Sequence, residues 1–376
     1  MKVRGRRERL LDEVDVISAV SGGSYTAAYY GLFRDRLFTD FESAFLKRDI
    51  EQDLVSLLLN PVTATTLASP QFNRSDLAAK WLGENIFAKS TFADLNAKGR
   101  PFVVINASDI NTGMTFSFVQ QQFDFLCSSI DNYPVANAVL ASSAVPGVFA
   151  PIAVRNYDVD CAERRNSWIG GALKTGNIFS REYQVALALE RYSDPRRMPV
   201  VRLVDGGVTD NLGVRGSMMS PVLHFGNVAD MAGVFDQHRL DNVARVLVVV
   251  ANAQAYGEYD WSKQGLEPGL IDNVQASFET SIGVINSETV SLAMRGFRQW
   301  ADHVSARPSR TGKPPVDLQF AVLTFDNIRD AAQRRAFNDV PTSFALEAQQ
   351  VDFVRSMGKR LLFESPEFKT FVARSH

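Results

Sequence analysis

The chain has 376 residues, 45% apolar and 22% charged, close to the globular average; this excludes a disordered chain and admits either two ordinary domains or one large one. Lys+Arg number 40 against 42 Asp+Glu, so the net charge of −2 supplies no field to attract nucleic acid, which is not expected as a partner. Two cysteines, Cys127 and Cys161, are too few for a disulfide scaffold or a Cys-rich zinc site, and their spacing does not say whether they pair.

The basic stretch from Met1 to Arg9 runs into polar residues rather than an apolar core, so no signal peptide is expected. No run reaches the roughly 18 apolar residues of a membrane span. Val14 to Val20 is apolar and rich in β-branched residues and reads as a buried strand. It enters Ser21-Gly22-Gly23-Ser24, and Tyr25 to Phe33 then has a helical pattern. Residues 41–98 read as mostly helical, with Leu54, Leu57 and Leu58 at helical spacing and Pro61 and Pro70 as breaks. Pro101 to Ala107 is a second buried strand, Asp109 to Gly113 a polar turn, and Met114 to Phe118 a third strand, which together make a hairpin. Val135 to Ala144 reads as a helix ending at Pro146-Gly147.

Residues 152–198 mix Arg164, Arg165, Trp168, Gly170-Gly171 and Pro195-Arg196-Arg197, and are a candidate insertion or lid near a site. Val200 to Val204 is a strand ending at Asp205-Gly206-Gly207, and Ala244 to Ala251 is the most uniformly apolar strand of the chain. A long helix over 270–300, a late strand from Val316 to Phe325 and a helical stretch over 343–372 complete the order. Buried strands alternating with helices predict an α/β fold with a sheet covered on both faces. No charge run or Pro/Ser linker divides the chain, so residues 1–376 read as a single domain.

Two places carry chemistry. Ala19-Val20-Ser21-Gly22-Gly23 follows a predicted strand and opens a predicted helix, the setting of a G-x-S-x-G nucleophile elbow with Ala19 in the first glycine position. A tight turn calls for small residues two before and two after the nucleophile, and Ala19 and Gly23 meet that demand. The turn lifts the Ser21 hydroxyl off the sheet and sets the Gly22 N–H where it can stabilise an oxyanion. The same residues also occur in ordinary turns. Asp205, at the end of a buried strand before Gly206-Gly207, lies where α/β sheets place functional groups, but equally suits a turn aspartate that accepts from local N–H groups. A phosphate loop is the weaker reading, because Gly22-Gly23 is not followed by Gly-Lys-Ser/Thr and Gly312-Lys313 is followed by Pro314. The histidines, His224, His238, His303 and His376, are never three or four apart, so no helical metal pair exists.

Taken together, the two motifs resemble those of the patatin-like phospholipases. Ala19 to Gly23 matches their elbow and Asp205-Gly206-Gly207 their D-G-G motif. Asn106-Ala107-Ser108-Asp109-Ile110-Asn111-Thr112-Gly113 is similar to the hairpin between them, Ala141 to Phe149 to their A-S-x-A-x-P stretch, and Asp210-Asn211-Leu212-Gly213 to the continuation of D-G-G. The likeness covers residues 10 to 255 well and the remainder loosely.

The resemblance implies a three-layer α/β/α fold with a central mixed, mainly parallel sheet. It implies a serine acyl hydrolase of phospholipase A or lysophospholipase type, with Ser21 as nucleophile and Asp205 as general base. Ala19, Gly22 and Gly23 would form the elbow and oxyanion site, with Gly206 and Gly207 supporting the acid. The substrate would be a phospholipid or another acyl ester, with no cofactor or metal and with peripheral contact at a membrane. Phe149, Trp168 and Leu212 are candidates for an acyl pocket. Oligomeric state and localisation are not implied.

The family also has a strand and a glycine-rich oxyanion loop upstream of the elbow. The 20 residues before Ser21 hold one glycine, Gly5, and no apolar strand ahead of it. The expectation is therefore a chain without that element, which leaves a neighbouring strand edge unpaired and removes oxyanion donors worth about 100- to 1,000-fold each. A catalytically impaired member acting as a lipid-binding or interaction protein is the alternative function. A Ser-His-Asp esterase using His303 or His376 is a third.

Overall fold

Val16–Val20 forms the first strand of the main sheet (β1), and Phe102–Asp109 lies beside it in parallel (β2), with Val16 opposite Phe102 and Val20 opposite Asn106. Met114–Ser117 (β3) returns antiparallel on β2 as the expected hairpin. Val200–Val204 (β5) joins the far end of β2 through Ser108 and Asp109, and Ile152–Arg155 (β4) pairs antiparallel with β5 along its whole length. Arg245–Asn252 (β6) and Asp317–Thr324 (β7) form a separate parallel ladder. The two longest ladders, β1/β2 and β6/β7, are parallel, so the sheet is mixed and mainly parallel as expected. The computed structural model describes residues 9–58, 73–146, 148–161, 167–174, 177–217, 242–255 and 259–374, preceded by a two-residue ladder of Lys2–Val3 on Arg6–Arg7.

The pleat of β2 divides the molecule. Val103, Ile105 and Ala107 point into the main core, where Gly22–Phe33 (α1), Arg74–Asn85 (α2) and Val135–Ser142 (α3) pack. Asn106 and Ser108 point to the opposite face, toward the turn after β5 and the short helices Gly207–Asp210 (α6) and Val214–Ser217 (α7). Leu270–Ser305 (α8) covers that side: Ala293 clusters with Val214, and Arg215 Nε donates to Thr289 Oγ1 at 2.8 Å. Farther along α8, Phe297, Trp300 and Val304 pack with Val316, Val246 and Phe320 around β6 and β7. Helices thus lie on both faces of the strands.

Within 152–198, Ile152–Arg155 is a sheet strand. Ser167–Lys174 (α4) and Arg181–Tyr192 (α5) form a helix pair, and α5 is rooted in the core through Val185, Leu189 and Tyr192. Arg164 and Arg165 lie outside the described residues, as do Pro61, Pro70 and Gly147. Cys127 and Cys161 are paired in a disulfide. The last helical stretch breaks at Ser365-Pro366, where Ser365 Oγ accepts from the Phe368 N–H at 3.2 Å and starts a new helix, Pro366–Ala373.

One expectation fails. The composition of β6 predicts burial on both faces, yet Val250 is its only buried residue and Val249 is 43% exposed. The reason is topological. Among the described residues β6 has a partner only in β7, and β1 only in β2. A cleft of about 3270 Å³ runs along both strands, touching every residue over 13–23 on one side and 242–255 on the other. Alternate strand residues point to opposite faces, so a cleft that meets every one of them follows the strand edge. The edges of β1 and β6 that have no partner among the described residues are its walls.

Candidate active site

Ser21 joins the end of β1 to the start of α1, in the left-handed region at φ 49°, ψ −128°. Such a backbone costs a non-glycine residue on the order of 1–3 kcal/mol. A serine at a helix N-cap normally turns its hydroxyl onto an N–H of the first turn, worth about 1 kcal/mol. Ser21 makes no such cap. Its Oγ instead donates to Asp205 Oδ2 at 2.7 Å. Its N–H is shared by the carbonyl (3.1 Å) and the Oγ (2.9 Å) of Ser142.

Asp205 ends β5 and is 3% exposed. Its second oxygen, Oδ1, accepts from the Gly207 N–H at 2.7 Å, which aims Oδ2 at Ser21. Burial pushes the carboxyl up to about 6, against the hydrogen bonds from Ser21 and Gly207 that hold it down. Gly206 is required by close approach: a Cβ there would lie 2.5 Å from the Asn106 carbonyl oxygen and 2.8 Å from Val20 Cγ1. The elbow glycines differ. A Cβ at Gly22 or Gly23 would meet nothing within 4 Å, so packing does not impose the small residue expected at 23. Small residues there leave space beside the Ser21 hydroxyl, and both N–H groups lie in the first helical turn, beyond reach of an intrahelical carbonyl. Ala19, by contrast, is buried in the main core.

A polar network under the site fixes the two strand ends. Asn106 is fully buried; its Nδ2 donates to Ser18 Oγ (2.9 Å) and the Ala19 carbonyl (3.1 Å), and its Oδ1 accepts from Ser117 Oγ (2.7 Å). Ser18 Oγ in turn donates to the Gly213 carbonyl. Asp210, also fully buried, accepts from the N–H groups of Leu212, Arg215 and Gly216, and burial pushes its carboxyl up. It caps the loop and does not reach Ser21. Asn106 and Ser142 lay within motif stretches legible in the sequence but had no role there. The available signal was Asn106 itself, a polar residue inside an apolar strand that burial obliges to find partners.

Ser21, Gly22, Gly23 and Asp205 all line the cleft, with Phe149 and Leu212 beside them. Trp168 packs against the main core instead. His303 is exposed in the last turn of α8 and is not part of the cleft wall, while His224, His238 and His376 lie outside the described residues. Among the described residues, no group of three or more His, Cys, Asp or Glu is placed to hold a metal, and no helix is long and apolar enough to cross a membrane.

The family model for patatin-like phospholipase matches residues 2–217, more than half of the chain. The match runs from the N-terminal ladder through α7 and stops before β6, short of the limit near residue 255 expected from the motifs. No curated protein matches the chain. Strand, elbow, hairpin, D-G-G turn and family model agree, and the chain belongs to the patatin-like phospholipase family.

Proposed function

We propose that this lipid acyl hydrolase is of phospholipase A or lysophospholipase type and works through a Ser21–Asp205 dyad. The observation that carries the reading is the 2.7 Å hydrogen bond from Ser21 Oγ to Asp205 Oδ2 in a largely apolar cleft. Asp205 takes the Ser21 proton as Oγ bonds to the ester carbonyl carbon, and returns it to the departing alcohol oxygen. Water then cleaves the acyl-enzyme and releases the fatty acid. The Gly22 and Gly23 N–H groups face the oxyanion. No cofactor enters this chemistry. Residues 13–23 and 242–255 both wall the cleft, so residues 1–376 act as one unit.

The direct test is intact-mass analysis after treatment with a fluorophosphonate, paired with fatty-acid release from diacyl phospholipid in mixed micelles. A single adduct and fatty-acid release are expected. A cooperatively folded chain that gives neither, yet binds lipid vesicles, supports the second reading, an impaired member acting as a lipid-binding protein. That reading draws on the edge of β1 that has no strand partner among the described residues, where one flank of Ser21 faces the cleft.

Asp205 must be ionised to accept a proton, and burial sets its midpoint at about 6. The rate of Ser21 acylation should rise with pH along a single-proton curve centred there and fall about tenfold per unit below it. A pH–rate profile on a soluble short-chain ester reads this directly. A profile flat between about pH 4.5 and 8 removes Asp205 as the base.

Peripheral membrane contact is assigned to the turn between α4 and α5. Phe179 is 91% exposed and Ile178 48%, with Lys174 and Arg181 on either side. Arg181, which opens α5, lies within range of the charges of Asp210 and Arg215, which flank the cleft-lining residues 211–214. In this reading 152–198 contributes a lipid-facing tip. Burying one Phe side chain is worth about 1.5–3 kcal/mol. Phe179→Asp is expected to lower hydrolysis of vesicle lipid about tenfold or more and leave a soluble ester untouched. Equal rates on vesicles would end the assignment.

A further inference from the structure

The Ser142 hydroxyl has no role in the chemistry just described, and its surroundings specify one. Ser142 is the last residue of α3 and is fully buried. Its Oγ donates to the Asn106 carbonyl at 2.6 Å, and a carbonyl can only accept. The single hydroxyl proton is therefore committed. The two lone pairs must take the Ser21 N–H at 2.9 Å and the Ser24 hydroxyl at 2.7 Å, so Ser24 is the donor in that pair. The carbonyl of the same residue accepts from the Ser21 N–H at 3.1 Å and from the Gly206 N–H at 3.0 Å. Two residues on, the Ala144 carbonyl accepts the Asp205 N–H at 2.9 Å.

The end of α3 thus holds both halves of the dyad by their main chains. β1 and β5 are not neighbours, because β2 lies between them. The Ser21–Asp205 bond therefore spans a strand that pairs with both, and Ser142 bridges the same three: Ser21 after β1, Asn106 on β2 and Gly206 after β5. The strained φ of Ser21 makes such a hold necessary, since a relaxed elbow would rotate Oγ away from the acid.

We propose that Ser142 is a positioning residue: its hydroxyl fixes the strained Ser21 backbone so that Oγ stays on Asp205. The proposal rests on the dyad reading above. It differs from a packing role because it acts on the reactivity of Ser21 in the folded protein.

The test is the second-order rate of fluorophosphonate labelling, measured on the full chain well below its melting temperature and across pH, for wild type, Ser142→Ala, Ser142→Cys and Ser143→Ala. Ser143 is the matched control. It sits on the same helix end and is as deeply buried; it borders the cleft, but its Oγ bonds Tyr25 and the Val139 carbonyl and makes no hydrogen bond to Ser21 or Asp205. Ser142→Ala is expected to slow labelling on the order of 10- to 100-fold, the effect of misplacing a reacting group by about an ångström. It should also raise the pH midpoint above that of wild type, because the Ser21 hydrogen bond that lowers the Asp205 carboxyl is weakened. Ser143→Ala should lower the melting temperature and leave rate and midpoint near wild type. Ser142→Cys keeps the shape with a poor acceptor. It is expected to fall between wild type and alanine, and carries the test if the alanine variant does not fold. Wild-type rate and midpoint in a folded Ser142 variant overturn the proposal, as does equal slowing in Ser143→Ala. A folded wild type that takes no label overturns the dyad and the proposal with it.

Discussion

Ser21→Ala is expected to abolish ester hydrolysis and the fluorophosphonate adduct together while leaving the fold intact. Loss of a hydrolase nucleophile costs up to about 10⁶-fold in turnover, so residual hydrolysis should fall to the level of a no-enzyme control. The fold should tolerate the change, at the modest cost of one hydrogen bond to the buried Asp205 carboxylate. The Ser21 hydroxyl caps nothing in α1, and its one hydrogen bond is spent on a carboxylate held in unfavourable burial. The N–H that anchors the elbow on Ser142 belongs to the backbone and survives the substitution. Circular dichroism and an intact-mass measurement on one preparation check both halves. Hydrolysis that persists in the folded variant would move the chemistry to another group.

Asp205→Asn should reduce turnover by about 10²- to 10⁴-fold, the typical contribution of a positioned general base. The same variant makes a claim about stability. The carboxyl is raised from 3.8 to about 6 on folding, so the folded chain binds this proton more tightly than the unfolded one. The resulting stabilisation is fully present below pH 3.8 and is lost as pH rises through about 6. At pH 7 the buried carboxylate therefore costs the fold about 2–3 kcal/mol, at 1.36 kcal/mol per unit. Asparagine escapes this cost. Denaturant melts should show Asp205→Asn more stable than wild type at pH 7, with the gap closing toward about pH 4. A variant less stable at pH 7 would mean that the Ser21 and Gly207 hydrogen bonds outweigh desolvation. Activity and stability here oppose each other at one side chain.

Much of this was legible in the sequence because its signals are local. β1, the elbow and α1 follow from a β-branched run, a glycine pair and an Ala/aromatic helix within about 20 consecutive residues. The hairpin of β2 and β3 and the strand before Asp205 were equally plain. The 2.7 Å approach of Ser21 to Asp205 was not, because it joins positions 184 residues apart across an intervening strand. The status of β6 failed for a related reason. Val246 to Val250 states that the strand prefers burial, but which elements cover it is a property of the whole sheet. Helix α5 was missed because the charge and glycine over residues 158–176 and the Pro195-Arg196-Arg197 run after it made 152–198 read as irregular and masked the pattern of Val185, Leu189 and Tyr192. Ser142 was visible as a residue and silent as a function, since a buried serine at a helix end has many ordinary uses.

The meeting of two helix ends at the elbow has an electrical consequence. α1 begins at Gly22, so its partial positive pole faces the Ser21 oxygen. α3 ends at Ser142, so its partial negative pole faces the turn that carries Asp205. The first pole favours charge on the serine oxygen; the second disfavours charge on the carboxylate and favours its protonated form. Both push the proton the same way, from Ser21 to Asp205. Each pole is worth roughly 0.3–1 kcal/mol, and more where water is excluded. A carboxylate is a poor base for an alcohol, and the two backbones narrow that mismatch in acidity from both sides without a third side chain.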